Sequence, residues 1–176
     1  MERKNSGQVL KGGLTLSVVG KTVLLLADLL YSRQYAFRGT VSLVLQGLEM
    51  NVDDIDIVCD KETALSCNKI LSRFLIERVA FRESPKFRSY FGKFSVNNVP
   101  VEVMGEWEIK DGKGKWSEPF NASERKKLTI NDKDIFVTTI EEELLMFAKM
   151  GRWTAYQKIK RQLPKTPPKS PQQTLF

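Results

Sequence analysis

Three aspartates, Asp53, Asp54 and Asp56, stand at the edge of the apolar run that ends "DDIDIVCD". Carboxylates beside a core cost free energy unless a positive group compensates them, and no lysine or arginine lies between Arg38 and Lys61. The expected partner is a metal ion. Side chains alternate along a strand, so Asp54 and Asp56 project to one side while Ile55 and Ile57 enter the core. Neighbouring carboxylates in a low-dielectric setting repel, and one tends to protonate unless a divalent cation bridges them. Glu102, between Val101 and Val103 in "VPVEVMGEW", shows the same alternation. Where the two strands are adjacent, the three carboxylates converge on one sheet face, at the mouth of a basic cleft. Oxygen donors on rigid strands suit Mg²⁺, whose coordination substrate phosphates complete. Glu106, four residues beyond Glu102, is the rival third ligand if the register slips. Asp53 reads as a strand-entry residue and Asp60 as the cap of a helix beginning at Lys61.

The chain contains no histidine. That removes Ser/His and Cys/His nucleophile pairs, His-ligated zinc and the commonest general base, leaving carboxylates, hydroxyls and lysines to do chemistry. The two cysteines, Cys59 and Cys67, match neither a metal-ligand spacing nor a disulfide framework and read as buried thiols in a reducing, cytoplasmic setting. A formal charge of +7 suits anionic partners such as nucleotides, nucleic acid or an acidic protein surface. With 176 residues, 41% of them apolar and 28% charged, one domain with a proper core is expected. The most apolar stretch, Leu14 to Leu30, is interrupted by Lys21 and Asp28, so it reads as a helix over roughly Gly20 to Ser32 and not as a membrane span.

The elements that must position the carboxylates follow from periodicity. "QYAFRG" reads as a short strand ending in glycine, "TVSLVLQGLEM" as a helix and "DIDIVCD" as a strand. Lys61 to Ala80 reads as one long amphipathic helix, with Ala64, Leu65, Ile70, Leu71, Phe74 and Leu75 on its apolar face. "FGKFSVNNVPVEVMGEW" and "KLTINDKDIFVTT" read as hairpins turning at "NN" and "ND". "IEEELLMFAKMGRWTAYQKIKRQL" returns to helical periodicity. The Pro-rich basic end, residues 163–176, is too poor in apolar residues to pack and reads as a flexible tail after a domain of residues 1–162.

The segment from about Tyr35 to Trp107 resembles the signature of the polymerase β-type nucleotidyltransferase superfamily: a strand ending in Gly-Gly or Gly-Ser, a helix, then Asp-x-Asp, with a third carboxylate from a later strand. Gly39 and Thr40 stand at the Gly-Ser position, Asp54 and Asp56 at the metal aspartates and Glu102 at the third carboxylate. The end of the chain, "MGRWTAYQKIKRQL", is similar to the last helix of small archaeal and bacterial members. The resemblance implies an α/β (α+β) fold, a mixed sheet flanked by helices. It also implies Mg²⁺- or Mn²⁺-dependent transfer of a nucleoside monophosphate from a nucleoside triphosphate, ATP foremost, to an acceptor hydroxyl. Two cations would share Asp54 and Asp56, one of them held also by Glu102. Gly39 would allow close approach of the triphosphate, with Thr40 and Ser42 as hydroxyl donors and Arg38, Lys149, Arg152 and Lys158 as cations beside the phosphates. The acceptor is expected to be a small molecule or a protein, and no membrane is involved. The alternative is a catalytically silent, antitoxin-like module that binds nucleotide, nucleic acid or a partner. Near the end of the tail, Gln172 and Leu175 resemble the start of the Gln-x-x-Leu motif by which archaeal proteins bind the DNA sliding clamp, with the chain stopping at Phe176.

Overall fold

The computed structural model describes residues 17–164. The tail beyond them, with its clamp-like motif, lies outside the described residues. A seven-stranded mixed sheet runs in the order β3-β4-β5-β2-β1-β7-β6. The strands are β1 (Tyr35–Arg38), β2 (Ile55–Cys59), β3 (Leu75–Glu83), β4 (Phe87–Val96), β5 (Val99–Ile109), β6 (Lys126–Ile130) and β7 (Lys133–Val137). Five α-helices accompany it among the described residues: α1 (Val18–Leu29), α2 (Gly39–Leu45), α3 (Lys61–Ile70), α4 (Ile140–Lys149) and α5 (Trp153–Gln162). No helix among the described residues is long and apolar enough to cross a membrane.

The two sheet faces have different fates. Ile55, Ile57 and Cys59 of β2 join Val101 and Val103 of β5 in the main core, where Leu26 and Leu30 of the α1 segment and Ala64 and Cys67 of α3 cover them. Both cysteines are buried free thiols. The opposite face carries a smaller cluster, with Ala36, Val58, Met104 and Trp107 packed against Met146 of α4. This second face is the one to which Asp56 and Glu102 belong by alternation.

Both hairpins expected from the sequence, β4–β5 and β6–β7, turn where the asparagines stand. Asn97 and Asn98 have φ of 53° and 63°, and Asn131 and Asp132 have 50° and 59°, the left-handed pair that a two-residue type I′ connection requires and that Asn and Asp tolerate best.

The long helix expected over Lys61 to Ala80 is corrected. Helix α3 stops at Ile70, a 3₁₀ turn spans Ser72–Phe74, and the chain re-emerges as edge strand β3. Six of its nine residues are exposed, Ile76 at 69% and Phe81 at 54% among them, so its apolar residues never showed a clean period of two. Asn68 fastens strand to helix by accepting from the Val79 amide at 2.8 Å and donating to its carbonyl at 3.1 Å. The C-terminal helical stretch is likewise two helices. Gly151, at φ 71°, closes α4 with the Gly151 amide bonded to Ala148 and the Arg152 amide to Phe147, the paired bonds of a Schellman end.

Candidate functional site

Strand β2 runs antiparallel to β1 and parallel to β5, so Asp56 faces Arg38 on one side and Glu102 on the other. Asp54 lies just before the strand. With Gly39 and Thr40 from the β1–α2 turn, these residues line a cavity of ≈ 550 Å³. The hairpin of β3 and β4 forms one wall, and Glu143, Phe147, Met150 and Arg152 from α4 and the start of α5 form another.

Glu106 is removed from contention by a bulge. It has φ of 49°, and the β4–β5 pairing shifts register between Arg88 and Tyr90. One extra residue reverses the alternation, so that Met104 and then Trp107 share the site's face. Glu106 instead accepts from the Lys61 amide at 3.3 Å, at the start of α3 on the opposite face. Asp60 caps the same helix through the Thr63 amide at 2.7 Å.

Burial pushes the Asp56 carboxyl up to about 7; Arg38 opposes the rise, and Asp54, Glu102 and Glu143 add to it. Asp54 is also raised, by burial first and then by Glu102 and Asp53. The positive partners missing from the local sequence come from elsewhere in the sheet. Arg38, buried at 7% exposure, lies 4.3 Å over the Trp107 ring, and Lys93 of β4 pairs with Glu102 at 3.1 Å.

The expectation of a basic cleft is corrected. Five carboxylates and four arginines line the cavity, and two of those arginines are already paired, Arg82 with Glu77 at 2.6 Å and Arg88 with Glu108 at 2.7 Å. Among the described residues, no group of three or more acidic or thiol side chains is gathered into a ready-made metal cage. Asp54 and Asp56 nevertheless have the chemistry a hard divalent cation takes: oxygen donors whose protonation is displaced upward by burial first and by neighbouring carboxylates second.

Arg38, Gly39, Thr40, Asp54, Asp56, Glu102 and Arg152 thus meet at one cavity, whereas Ser42, Lys149 and Lys158 do not line it. Ser42 is fully buried, and its hydroxyl donates to the Thr138 carbonyl at 2.9 Å. Lys149 borders a separate hollow beside Trp116, and Lys158 another, beside Glu49 and Met50. Nor is the Gly39 amide open to a ligand. It donates to Glu143 at 2.7 Å, and the glycine is required because its φ is 65° and a Cβ would stand 3.1 Å from the Asp56 Oδ2. Glu143 was missed in the sequence. Its signal was position: a carboxylate spaced three and four residues before Met146 and Phe147 falls on the apolar face of α4.

The sequence matches the model of a family described as aminoglycoside-2''-adenylyltransferase over residues 22–161. No curated protein matches it. Among solved structures, a Thermotoga maritima protein assigned as a nucleotidyltransferase is 25% identical with a TM-score of 0.69, over 80% of this chain and 91% of that one. The lincosamide antibiotic adenylyltransferase LnuA, solved with lincomycin, is 16% identical with a TM-score of 0.51, over 80% and 95% of the two chains. ANT(2")-Ia in complex with adenylyl-2"-tobramycin is 13% identical with a TM-score of 0.47, over 86% and 89%.

Proposed function

The chain belongs to the aminoglycoside-2''-adenylyltransferase family of nucleotidyltransferases, and from that membership we propose that it transfers the nucleoside monophosphate of ATP to a hydroxyl of a small-molecule acceptor. The acceptor oxygen forms a bond to the α-phosphorus, the bond from that phosphorus to the bridging oxygen breaks, and pyrophosphate leaves. The observation that carries this reading is the pairing of Asp56 with Glu102 across adjacent strands, beside Asp54, on the floor of a cavity large enough for a drug-sized ligand.

Asp54 and Asp56, with Glu102 as a third donor once it parts from Lys93, would hold Mg²⁺ or Mn²⁺, which when bound supplies Lewis-acid stabilisation of the phosphate charge and a lowered pKa at the attacking hydroxyl. The other contributions come from the chain itself. Glu102 orients the acceptor hydroxyl and takes its proton. Arg152, and Arg38 held over Trp107, face the triphosphate and offset its charge. The Thr40 hydroxyl donates to a phosphate oxygen. Phe87 stacks on Trp107 at 5.6 Å between centroids, a flat apolar wall for a base or acceptor ring.

The test is incubation with Mg²⁺ and each labelled nucleoside triphosphate, alone and with a panel of aminoglycosides, lincosamides and other polyhydroxylated compounds. Pyrophosphate release with an adenylylated acceptor is expected from ATP and from no reaction lacking the cation. Release that persists after chelation of the cation would overturn the reading.

A further inference from the structure

Glu143 is 1% exposed, yet it borders the cavity. Its Oε1 accepts from the Gly39 amide at 2.7 Å and from the Thr138 hydroxyl. Its Oε2 is buried with no hydrogen-bond partner. A carboxylate in that condition beside Asp56 is costly, and packing between α2 and α4 would be served better by leucine or methionine. Helix α2 begins at this same turn without a cap from the side chain of its own N-cap residue, Arg38. The first amide of α2 is held instead by a residue 104 positions away in sequence. Gly39 in turn stands where any Cβ would crowd the Asp56 carboxylate.

From this chain of contacts we infer that Glu143 is a positioning residue: it holds the Gly39–Thr40 turn against Asp56, so that the Thr40 hydroxyl and the carboxylate keep one spacing toward the nucleotide. The inference rests on the nucleotidyltransferase reading above. It assigns Glu143 no proton transfer and no ligand contact, because the oxygen that matters is the one already bonded to the backbone. The substance of the claim is an acceptor atom at a fixed place, not a negative charge.

That distinction can be measured on the full chain by calorimetry with ATP and Mg²⁺, alongside thermal unfolding. Glu143→Gln keeps an acceptor oxygen on Gly39 and is expected to bind within about threefold of the wild type. Glu143→Ala is expected to bind at least tenfold more weakly while remaining folded. Should the alanine variant not fold, Glu143→Asp, which retains the charge but falls a methylene short, serves in its place with the same expected loss. A folded alanine or aspartate variant with wild-type affinity would overturn the inference and leave the proposed function standing. Equal impairment of the glutamine variant would overturn it too, by showing that the charge itself acts. Wild-type protein that binds no nucleotide in the presence of Mg²⁺ would instead bring down the reading on which the inference depends.

Discussion

Asp56 shows at the residue scale what it costs to bury a carboxyl among other carboxyls. Its carboxyl is held near 7, against an ordinary value of 3.8, chiefly by burial. A carboxyl whose folded pKa exceeds its unfolded one lowers stability as pH rises through that window, because the native state binds the proton more tightly. The contribution is absent below about pH 4 and complete above about pH 7. Asp56→Asn is therefore expected to raise the melting temperature at pH 8, by several degrees in order of magnitude, with the gain shrinking toward pH 5, while transfer activity is abolished. Melting curves across pH check the first expectation and pyrophosphate release the second. A gain that does not depend on pH would mean that the carboxyl is not the source. The pair Asp54 and Asp56 stood out in the sequence as carboxylates one residue apart at the entry to an apolar strand, and both line the cavity. Glu143 did not stand out, because its partner Gly39 is far away in sequence and only the fold brings them together.

At the scale of elements, the site depends on a break in regularity. Had β5 run without its bulge at Glu106, alternation would have put Glu106 on the site's face and turned Trp107 away, and Arg38 would have lost the ring it lies over. Gly105, the residue before the bulge, packs tightly against α3: a Cβ there would come within 2.5 Å of the Ala64 Cβ and 3.1 Å of the Asp60 carbonyl oxygen. Gly105→Ala is expected to destabilise the protein by roughly 2 kcal/mol or more through overpacking. Gly151→Ala meets nothing within 4 Å and should cost only about 1 kcal/mol, for its left-handed backbone. Denaturant unfolding of the two variants checks the difference, and equal losses would contradict it. The β4–β5 and β6–β7 hairpins announced themselves through their turn residues. The bulge did not, since Gly105–Glu106 carries no turn signature, and neither did β3, whose exposed edge blurs the period that separates strand from helix.

Across the whole molecule, the formal charge of +7 does not describe the cavity, where carboxylates outnumber arginines and two of the arginines are spent on ion pairs. A triphosphate brought alone to Asp54, Asp56 and Glu102 meets repulsion that Arg38 and Arg152 only partly offset. Cation and nucleotide should therefore bind together, each weakly without the other. The most direct measurement is a crystal structure with Mn²⁺ and a non-hydrolysable ATP analogue, with the metal located by its anomalous scattering. Mn²⁺ is expected on carboxylate oxygens of both Asp54 and Asp56, with the triphosphate completing its coordination beside Thr40. An analogue seated in the cavity with no metal on either aspartate, or metal bound at other carboxylates, would contradict that expectation.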